Sequence, residues 1–129
     1  SDHGEDLMDN GNANFLHSSP KTTYYQTHVA SLAWFSPLYR DLFADKVEAA
    51  RKNAFAPSTT HSVFHTMADI ASMKSPYMEY SVSLVNDGFD YSAKRLYVDD
   101  HNNAVAWDRN IGIDAMQRDL FRKAGVPMP

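Results

Sequence analysis

The sequence predicts a mixed α/β fold, and three observations support that class. Residues 28–35 form a short, nearly continuous apolar run, which is typical of a strand buried on both faces of a parallel sheet. Apolar residues recur at helical spacing after position 37 and again after position 60. Two more short strand candidates lie between residues 95 and 107. With 129 residues, the chain has the length of one domain.

Three helices are predicted in order along the chain. Ser36 is a predicted N-cap with Pro37 at the first helical position, and this helix extends to about residue 53. Residues 58–60 offer caps for a second helix. Its predicted apolar face contains Val63, Phe64, Met67, Ile70 and Ala71. Asp114 is predicted to cap a third helix, which Gly125 closes.

The remaining segments are predicted as loops and short strands. Residues 1–27 show neither a strand nor a helix period, which indicates a long functional loop with at most a short helix. Residues 95–98 and 104–107 are predicted strands, joined by a stretch of turn composition at 99–103. Trp34 and Trp107 are predicted core aromatics. Residues 74–93 are predicted as loop around Pro76 and Gly88.

Composition excludes several classes of protein. The formal charge of −4 argues against a nucleic-acid binder, which would show a basic surface. The absence of Cys excludes disulfide scaffolds and thiolate chemistry. The longest apolar run is far shorter than the about 20 residues that cross a bilayer. Because a charged segment opens the sequence with no lead-in, we expect the chain to be a segment of a larger protein.

Metal-binding side chains are concentrated near the start of the chain. Carboxylates and imidazoles, the donors that suit zinc or manganese, are supplied by Asp2, His3, Glu5, Asp6, Asp9, His17 and His28. Asp2 and His3 are adjacent, and a turn relaxed by Gly4 lets both reach one ion. The spacing of these residues does not distinguish a metal site from a solvated polar loop, so both interpretations stay open.

An ordered series of short motifs resembles the C-terminal part of the phosphoethanolamine transferases. The series consists of Ser1-Asp2-His3-Gly4-Glu5, Phe15-Leu16-His17, Gln26-Thr27-His28-Val29 and Leu32-Ala33-Trp34. These enzymes belong to the sulfatase-like branch of the alkaline phosphatase superfamily. The resemblance implies that residues 1–129 are the C-terminal portion of a three-layer α/β/α sandwich. The nucleophile and the other zinc ligands of that family lie in an upstream half of the catalytic domain.

The resemblance also implies an activity and a set of site residues. In that family a zinc-activated threonine takes phosphoethanolamine from a phospholipid and passes it, through a phosphothreonine, to a lipopolysaccharide or glycan hydroxyl. Asp2 and His3 are the implied zinc ligands, His17 and His28 the implied substrate-binding residues, and Glu5 an outer residue that orients ligands. The implied location is the periplasmic face of the bacterial inner membrane. The segment alone is expected to be inactive and to bind zinc weakly.

Other functions and other residue roles stay open. A sulfatase or phosphodiesterase of the same superfamily would transfer to water, and a non-catalytic interaction fragment would use the acidic loop as solvated surface. For His28, a position near the phosphate site and a position at a strand end with a hydrogen bond to the backbone are equally supported by the sequence. Capping explains Thr59 and Thr60 better than a nucleophilic role does.

Two further groups could be read as metal sites. His61 and His65 are spaced to share a helix face, and we predict packing and capping roles for them over metal binding. A turn is the favoured interpretation of Asp99, Asp100 and His101. A buried strand at residues 28–36 also implies partner strands from the upstream half, or self-association through an exposed sheet edge.

Overall fold

A computed structural model describes residues 1–8, 15–17, 23–98, 103–106 and 115–125. Over these residues the fold is mixed α/β, with five α-helices, one 3-10 turn and two antiparallel two-stranded sheets. The chain divides into two compact units. Unit 1 combines Ser1–Leu32 with Lys94–Pro129, and unit 2 is Ala33–Ala93. No helix among the described residues has both the length and the apolar character that crossing a bilayer requires.

Unit 1 begins with a small hairpin that a short helix holds in place. Strand β1 (Asp6–Leu7) pairs antiparallel with β2 (Phe15–Leu16), so that Asp6 lies opposite Leu16. Helix α1 (Tyr24–Thr27) follows. The Gln26 side chain accepts the Thr23 amide at 2.9 Å and donates to the Leu16 carbonyl at 2.8 Å. One buried glutamine therefore both closes the first turn of α1 and fastens the helix to β2.

The second sheet and the last helix of unit 1 agree with the predictions. Strand β3 (Leu96–Val98) pairs antiparallel with β4 (Ala104–Ala106). Helix α5 (Ala115–Lys123) ends before Gly125, whose φ of +72° is the left-handed conformation that glycine adopts without strain. The predicted turn at residues 99–102 and the predictions for Asp9, Trp107 and Asp114 fall outside the described residues.

The predicted strand at residues 28–35 is wrong. This segment has neither helix nor strand, and most of its side chains are exposed, including Leu32 at 97% and Trp34 at 79%. A strand requires hydrogen-bonded neighbours, and no described strand lies beside this segment. The core role predicted for Trp34 is wrong for the same reason, because no sheet covers it. An apolar run by itself therefore did not establish a buried strand here.

Unit 2 is a helical unit, and its first helix starts as predicted. Helix α2 (Pro37–Leu42) has Pro37 in its first turn, and Ser36 Oγ accepts the Tyr39 amide at 3.1 Å. The predicted single helix is in fact two, because Phe43 leaves the helical region with φ −133° and ψ 50°. Its ring packs on Tyr39, with ring centroids 4.7 Å apart. Helix α3 (Ala44–Lys52) then follows.

Helix α4 (His61–Ile70) occurs where it was predicted, but with the opposite face buried. The buried side chains are Ser62, His65, Ala68 and Asp69. The predicted core residues Val63, Phe64 and Met67 are more than half exposed. A polar network explains the orientation: Ser83 Oγ donates to Asp69 Oδ2 at 2.8 Å, and the Leu84 amide donates to Thr66 Oγ1 at 3.0 Å.

The same network includes the one ion pair that is largely shielded from water within the described residues. Lys46 Nζ lies 2.9 Å from Asp69 Oδ1 and also donates to the Asp69 carbonyl. This pair links α3 to α4. The small apolar core around it consists of Val47, Ala49, Ala68, Val85 and Phe89. Hydrogen bonds therefore decide which face of α4 is buried.

Candidate functional site

The start of the chain lies alongside α1 and the residues that follow it. The Gly4 amide donates to the Gln26 carbonyl at 2.9 Å, and the amino nitrogen of Ser1 donates to the Ala30 carbonyl at 3.1 Å. Position 4 must be glycine for steric reasons, because a Cβ there would lie 1.8 Å from the Tyr25 carbonyl oxygen. This close backbone contact places residues 1–5 beside the β1–β2 hairpin.

His3, Glu5 and His17 form the first candidate site. The pairing of Asp6 with Leu16 brings the flanking residues Glu5 and His17 together across the hairpin. His17 Nδ1 lies 2.9 Å from Glu5 Oε1, and His3 Nδ1 lies 3.8 Å from the same oxygen. The two imidazole rings have centroids 4.2 Å apart. One potential ligand atom from each of the three residues lies within 4.8 Å of the others.

The hydrogen bonds at this site determine which imidazole nitrogens can bind a ligand. A carboxylate and a carbonyl oxygen only accept, so His17 Nδ1 donates to Glu5 and His3 Nδ1 donates to the Gly4 carbonyl at 3.0 Å. Both histidines therefore keep the lone pair of Nε2 available. The contact between Glu5 and His17 is that of an orienting carboxylate. A role for Glu5 beside a bound zinc ion stays a prediction.

Asp2 extends the site on the side of His3. Its Oδ2 lies 3.8 Å from Nε2 of His3, the nitrogen that carries the free lone pair. Two ligand atoms on one tetrahedral zinc ion are about 3.3 Å apart, so a small rotation of the exposed Asp2 side chain would let both bind one ion. Hydrogen bonds from the backbone amides of Asp2 and His3 are the main cause that lowers the pKa of Asp2. Asp2 is therefore ionised at neutral pH, as a metal ligand must be.

These donors fit a zinc ion. The set offers imidazole nitrogens of His3 and His17 and carboxylate oxygens of Asp2 and Glu5, which are hard and borderline donors that zinc accepts. All four side chains are solvent-accessible, so an ion could reach them. The structure thus brings together the predicted ligands Asp2 and His3, the predicted orienting residue Glu5, and the predicted substrate-binding residue His17.

His28 makes its contacts elsewhere in unit 1. Its Nδ1 lies 2.6 Å from the Tyr24 hydroxyl, and the two rings have centroids 4.8 Å apart. The side chain bonds a tyrosine rather than the backbone that the strand-end interpretation predicts. Because residues 26–30 lie alongside residues 1–4, His28 remains on a segment that borders the site.

A second cluster lies in unit 2 and includes a residue that sequence analysis missed. His61 and His65 share one face of α4, as their spacing predicts, and Glu79 joins them from the loop after the helix. His65 is buried and accepts the Glu79 amide at Nδ1 over 3.1 Å, in agreement with a packing and capping role. Glu79 lies 14 positions after His65, and no spacing rule connects the two.

Thr59 and Thr60 occupy the start of α4. Their carbonyl oxygens accept the amides of Ser62 and Val63 at 2.9 and 3.1 Å. Thr60 is the N-cap residue by position, but its hydroxyl makes no capping hydrogen bond, so the predicted side-chain cap is wrong at Thr60.

Comparisons of the chain with models of known families, with curated proteins and with solved structures gave no match.

Proposed function

We propose that this chain is the C-terminal part of the catalytic domain of a zinc-dependent phosphoethanolamine transferase. The enzyme would move phosphoethanolamine from a phospholipid to a lipopolysaccharide or glycan hydroxyl, at the periplasmic face of the bacterial inner membrane. The remaining strands of an alkaline-phosphatase-like sandwich, and the threonine that becomes phosphorylated, would belong to the upstream half of that domain. This proposal rests on the motif resemblance together with the geometry around residues 1–5 and 17.

The single observation that carries the proposal is the convergence of Asp2, His3, Glu5 and His17. These residues come from two segments separated by the hairpin loop, yet their side chains are in contact. Each histidine donates from Nδ1 to an oxygen, which leaves the lone pair of both Nε2 atoms available to bind a metal ion or to take up a proton that is then donated to a phosphoryl oxygen. A solvated loop of unrelated polar residues would not require this arrangement.

Each side chain has a distinct role in the proposed reaction. Asp2 and His3 would hold the zinc ion, which supplies Lewis-acid stabilisation of charge on the phosphoryl oxygens. His17 would present Nε2 to the phosphoryl group, as a proton carrier or as a hydrogen-bond donor. Glu5 fixes the orientation of the His17 ring through the hydrogen bond from Nδ1. His28 would contact the substrate from the bordering segment.

A site-resolved zinc titration of the chain tests the proposal. Zn²⁺ is added while NMR follows the imidazole signals of His3 and His17, and weak saturable binding is expected to shift both. Asp2→Ala and His3→Ala should each raise the apparent Kd at His17 at least about tenfold, because removing an orienting or binding partner costs that much or more. Glu48→Ala, an exposed change on α3, is the matched control and should leave the titration unchanged.

Transfer activity requires the protein that contains the upstream half. In that protein, His17→Ala is expected to reduce phosphoethanolamine transfer about 10²–10⁴-fold, the contribution typical of a positioned acid or base. A zinc shift at His17 that survives Asp2→Ala and His3→Ala together would overturn the assignment. Release of phosphoethanolamine to water with no acceptor product would identify a hydrolase of the same superfamily instead.

A further inference from the structure

We propose that His61, His65 and Glu79 form a second site for a divalent transition-metal ion, with Zn²⁺ as the ion that the donors suit best. The site lies entirely in unit 2. Its ligands are distinct from Asp2, His3, Glu5 and His17, so it does not depend on the function proposed above. Its effect would be to clip helix α4 to the loop that contains Glu79.

The geometry of the three side chains supports a common ion. His61 and His65 are one helical turn apart on α4, and their ring centroids are 4.7 Å apart. Glu79 Oε2 lies 3.5 Å from Nε2 of His61, close to the about 3.3 Å that separates two ligands of a tetrahedral zinc ion. One potential ligand atom from each of the three residues lies within 4.8 Å of the others.

The scaffold holds these ligands in place. The Glu79 amide donates to His65 Nδ1, and a few residues later Ser83 and Leu84 bond to Asp69 and Thr66 of α4. His65 is buried, and its ring packs against Phe64 with centroids 5.1 Å apart. The bonds of Ser83 and Leu84 to α4 would remain when the Glu79 amide gives up His65, so the loop would still hold Glu79 beside the two histidines, which reduces the entropic cost of binding.

The donor set indicates the class of ion. Two imidazole nitrogens and one carboxylate oxygen suit zinc and its neighbours in the first transition row, whereas calcium and magnesium prefer oxygen ligands alone. His61 and Glu79 are more than half exposed, which gives an ion a path to the site. Three protein ligands leave a coordination position for water or for another small ligand.

The hydrogen bond to His65 makes occupancy measurable. Because the Glu79 amide donates to Nδ1, the neutral His65 ring carries its proton on Nε2. An ion at Nδ1 replaces the hydrogen bond from the Glu79 amide and leaves the proton on Nε2. An ion at Nε2 requires the ring proton to move from Nε2 to Nδ1, and a protonated Nδ1 can no longer accept that amide. The Glu79 amide resonance therefore reports metal binding at this site directly, separately from any binding in unit 1.

The test uses the full chain with the first cluster removed by His3→Ala and His17→Ala. Co²⁺ is titrated as a spectroscopic probe for Zn²⁺, with visible absorption and the Glu79 amide resonance recorded together. We expect about one equivalent of Co²⁺ to bind, with the absorption of a low-coordinate ion that Zn²⁺ then displaces. His61→Ala and Glu79→Gln should each weaken binding at least about tenfold, and Glu79→Gln keeps the backbone amide and its hydrogen bond.

The outcomes separate this proposal from the previous one. His61 and Glu79 are exposed, so both variants are expected to keep the far-ultraviolet circular dichroism of the parent chain, whereas substitution of the buried His65 would disturb packing. The proposal is overturned if the Co²⁺ spectrum and affinity are the same with and without His61→Ala, or if the Glu79 amide does not move. Failure of zinc binding at His3 and His17 would leave these readouts unaffected.

Discussion

Glu5 and His17 face each other across the β1–β2 hairpin, with Nδ1 of His17 donating to Oε1 of Glu5 at 2.9 Å. The pair is a cross-strand contact, since each residue adjoins a paired position of the hairpin. It also connects the start of the chain to a residue beyond the hairpin loop. The first prediction concerns the charge of Glu5.

Glu5→Gln keeps an oxygen that can accept the proton of His17 Nδ1 but removes the negative charge. We expect the zinc affinity measured at the His3 and His17 resonances to fall about 10–100-fold, the usual effect of altering an orienting carboxylate. Glu48→Gln is the matched control on an exposed helix position. Unchanged affinity in the Glu5 variant would limit Glu5 to a structural role in the hairpin.

Asp69→Asn tests the shielded ion pair of unit 2. The substitution leaves Lys46, whose side chain is 17% exposed, without its carboxylate partner. We expect a loss of about 3–5 kcal/mol in the free energy of unfolding, measured by urea denaturation. The exposed pair of Lys52 and Asp87 supplies the control, and Asp87→Asn should leave the urea midpoint nearly unchanged. An equal loss of unfolding free energy in Asp69→Asn and Asp87→Asn would contradict the conclusion that water screens the first pair less than the second.

Asn53 is a buried hub of three hydrogen bonds. Its Nδ2 donates to the carbonyls of Leu84 and Asn86, and its Oδ1 accepts the Tyr91 hydroxyl at 2.6 Å. Asn53→Ala should cost roughly 1–3 kcal/mol of unfolding free energy because it removes three hydrogen bonds whose partners are partly shielded from water, whereas Tyr91→Phe should cost about 1 kcal/mol. Denaturant titration of the double variant should give less than the sum of the two costs, and strict additivity would argue against the shared bond.

The carboxyl of Asp90 gives a pH-dependent prediction. The Ser92 hydroxyl and amide both donate to Asp90 and lower its pKa below the ordinary value of 3.8. Stability from these bonds is therefore fully present above pH 3.8 and is lost as the pH falls through the lowered value. Ser92→Ala should raise the pKa of Asp90 part of the way back, as followed by NMR of its carboxyl carbon. An identical titration curve in the variant would remove the hydroxyl as a cause.

The exposed apolar face of α4 predicts self-association of the chain. Val63, Phe64 and Met67 are each more than half exposed on adjacent turns. The double variant Phe64→Gln, Met67→Gln is expected to have a lower weight-average molar mass at high protein concentration, measured by analytical ultracentrifugation. Its midpoint of thermal unfolding should not fall. Arg51→Gln, an exposed change on α3, should alter neither quantity. Association that persists in the double variant would place the contact on another surface.

Local chemistry allowed several elements to be predicted from the sequence. Ser36 with Pro37, and Gly125 at the end of α5, act through their own backbone and nearest neighbours, so both helix ends were correct. The two strands predicted at residues 95–98 and 104–107 were also correct, and the structure pairs them antiparallel. The two-residue strands β1 and β2 were missed because they are too short to show a period.

Long-range polar contacts could not be predicted from the sequence. The buried face of α4 is selected by Lys46, Ser83 and Glu79, which are distant in sequence and reverse the orientation that hydropathy favours. At the candidate site, the sequence identified His3, Glu5 and His17, whereas the tautomers depend on the contacts with Gly4 and Glu5. Glu79 could be added to the histidines of α4 only from the structure, because the folded loop after the helix brings it beside them.

The tight approach of Gly4 to the Tyr25 carbonyl has a consequence for the whole first segment. Only a hydrogen atom fits between the Cα atom of Gly4 and the carbonyl oxygen of Tyr25. A slip of one residue in either direction would bring His3 or Glu5 against the carbonyl, so the segment has a single permitted register. The lack of a side chain at Gly4 therefore fixes the position of Asp2 relative to His17. Because this constraint is steric, high salt that screens the charged side chains would not change it.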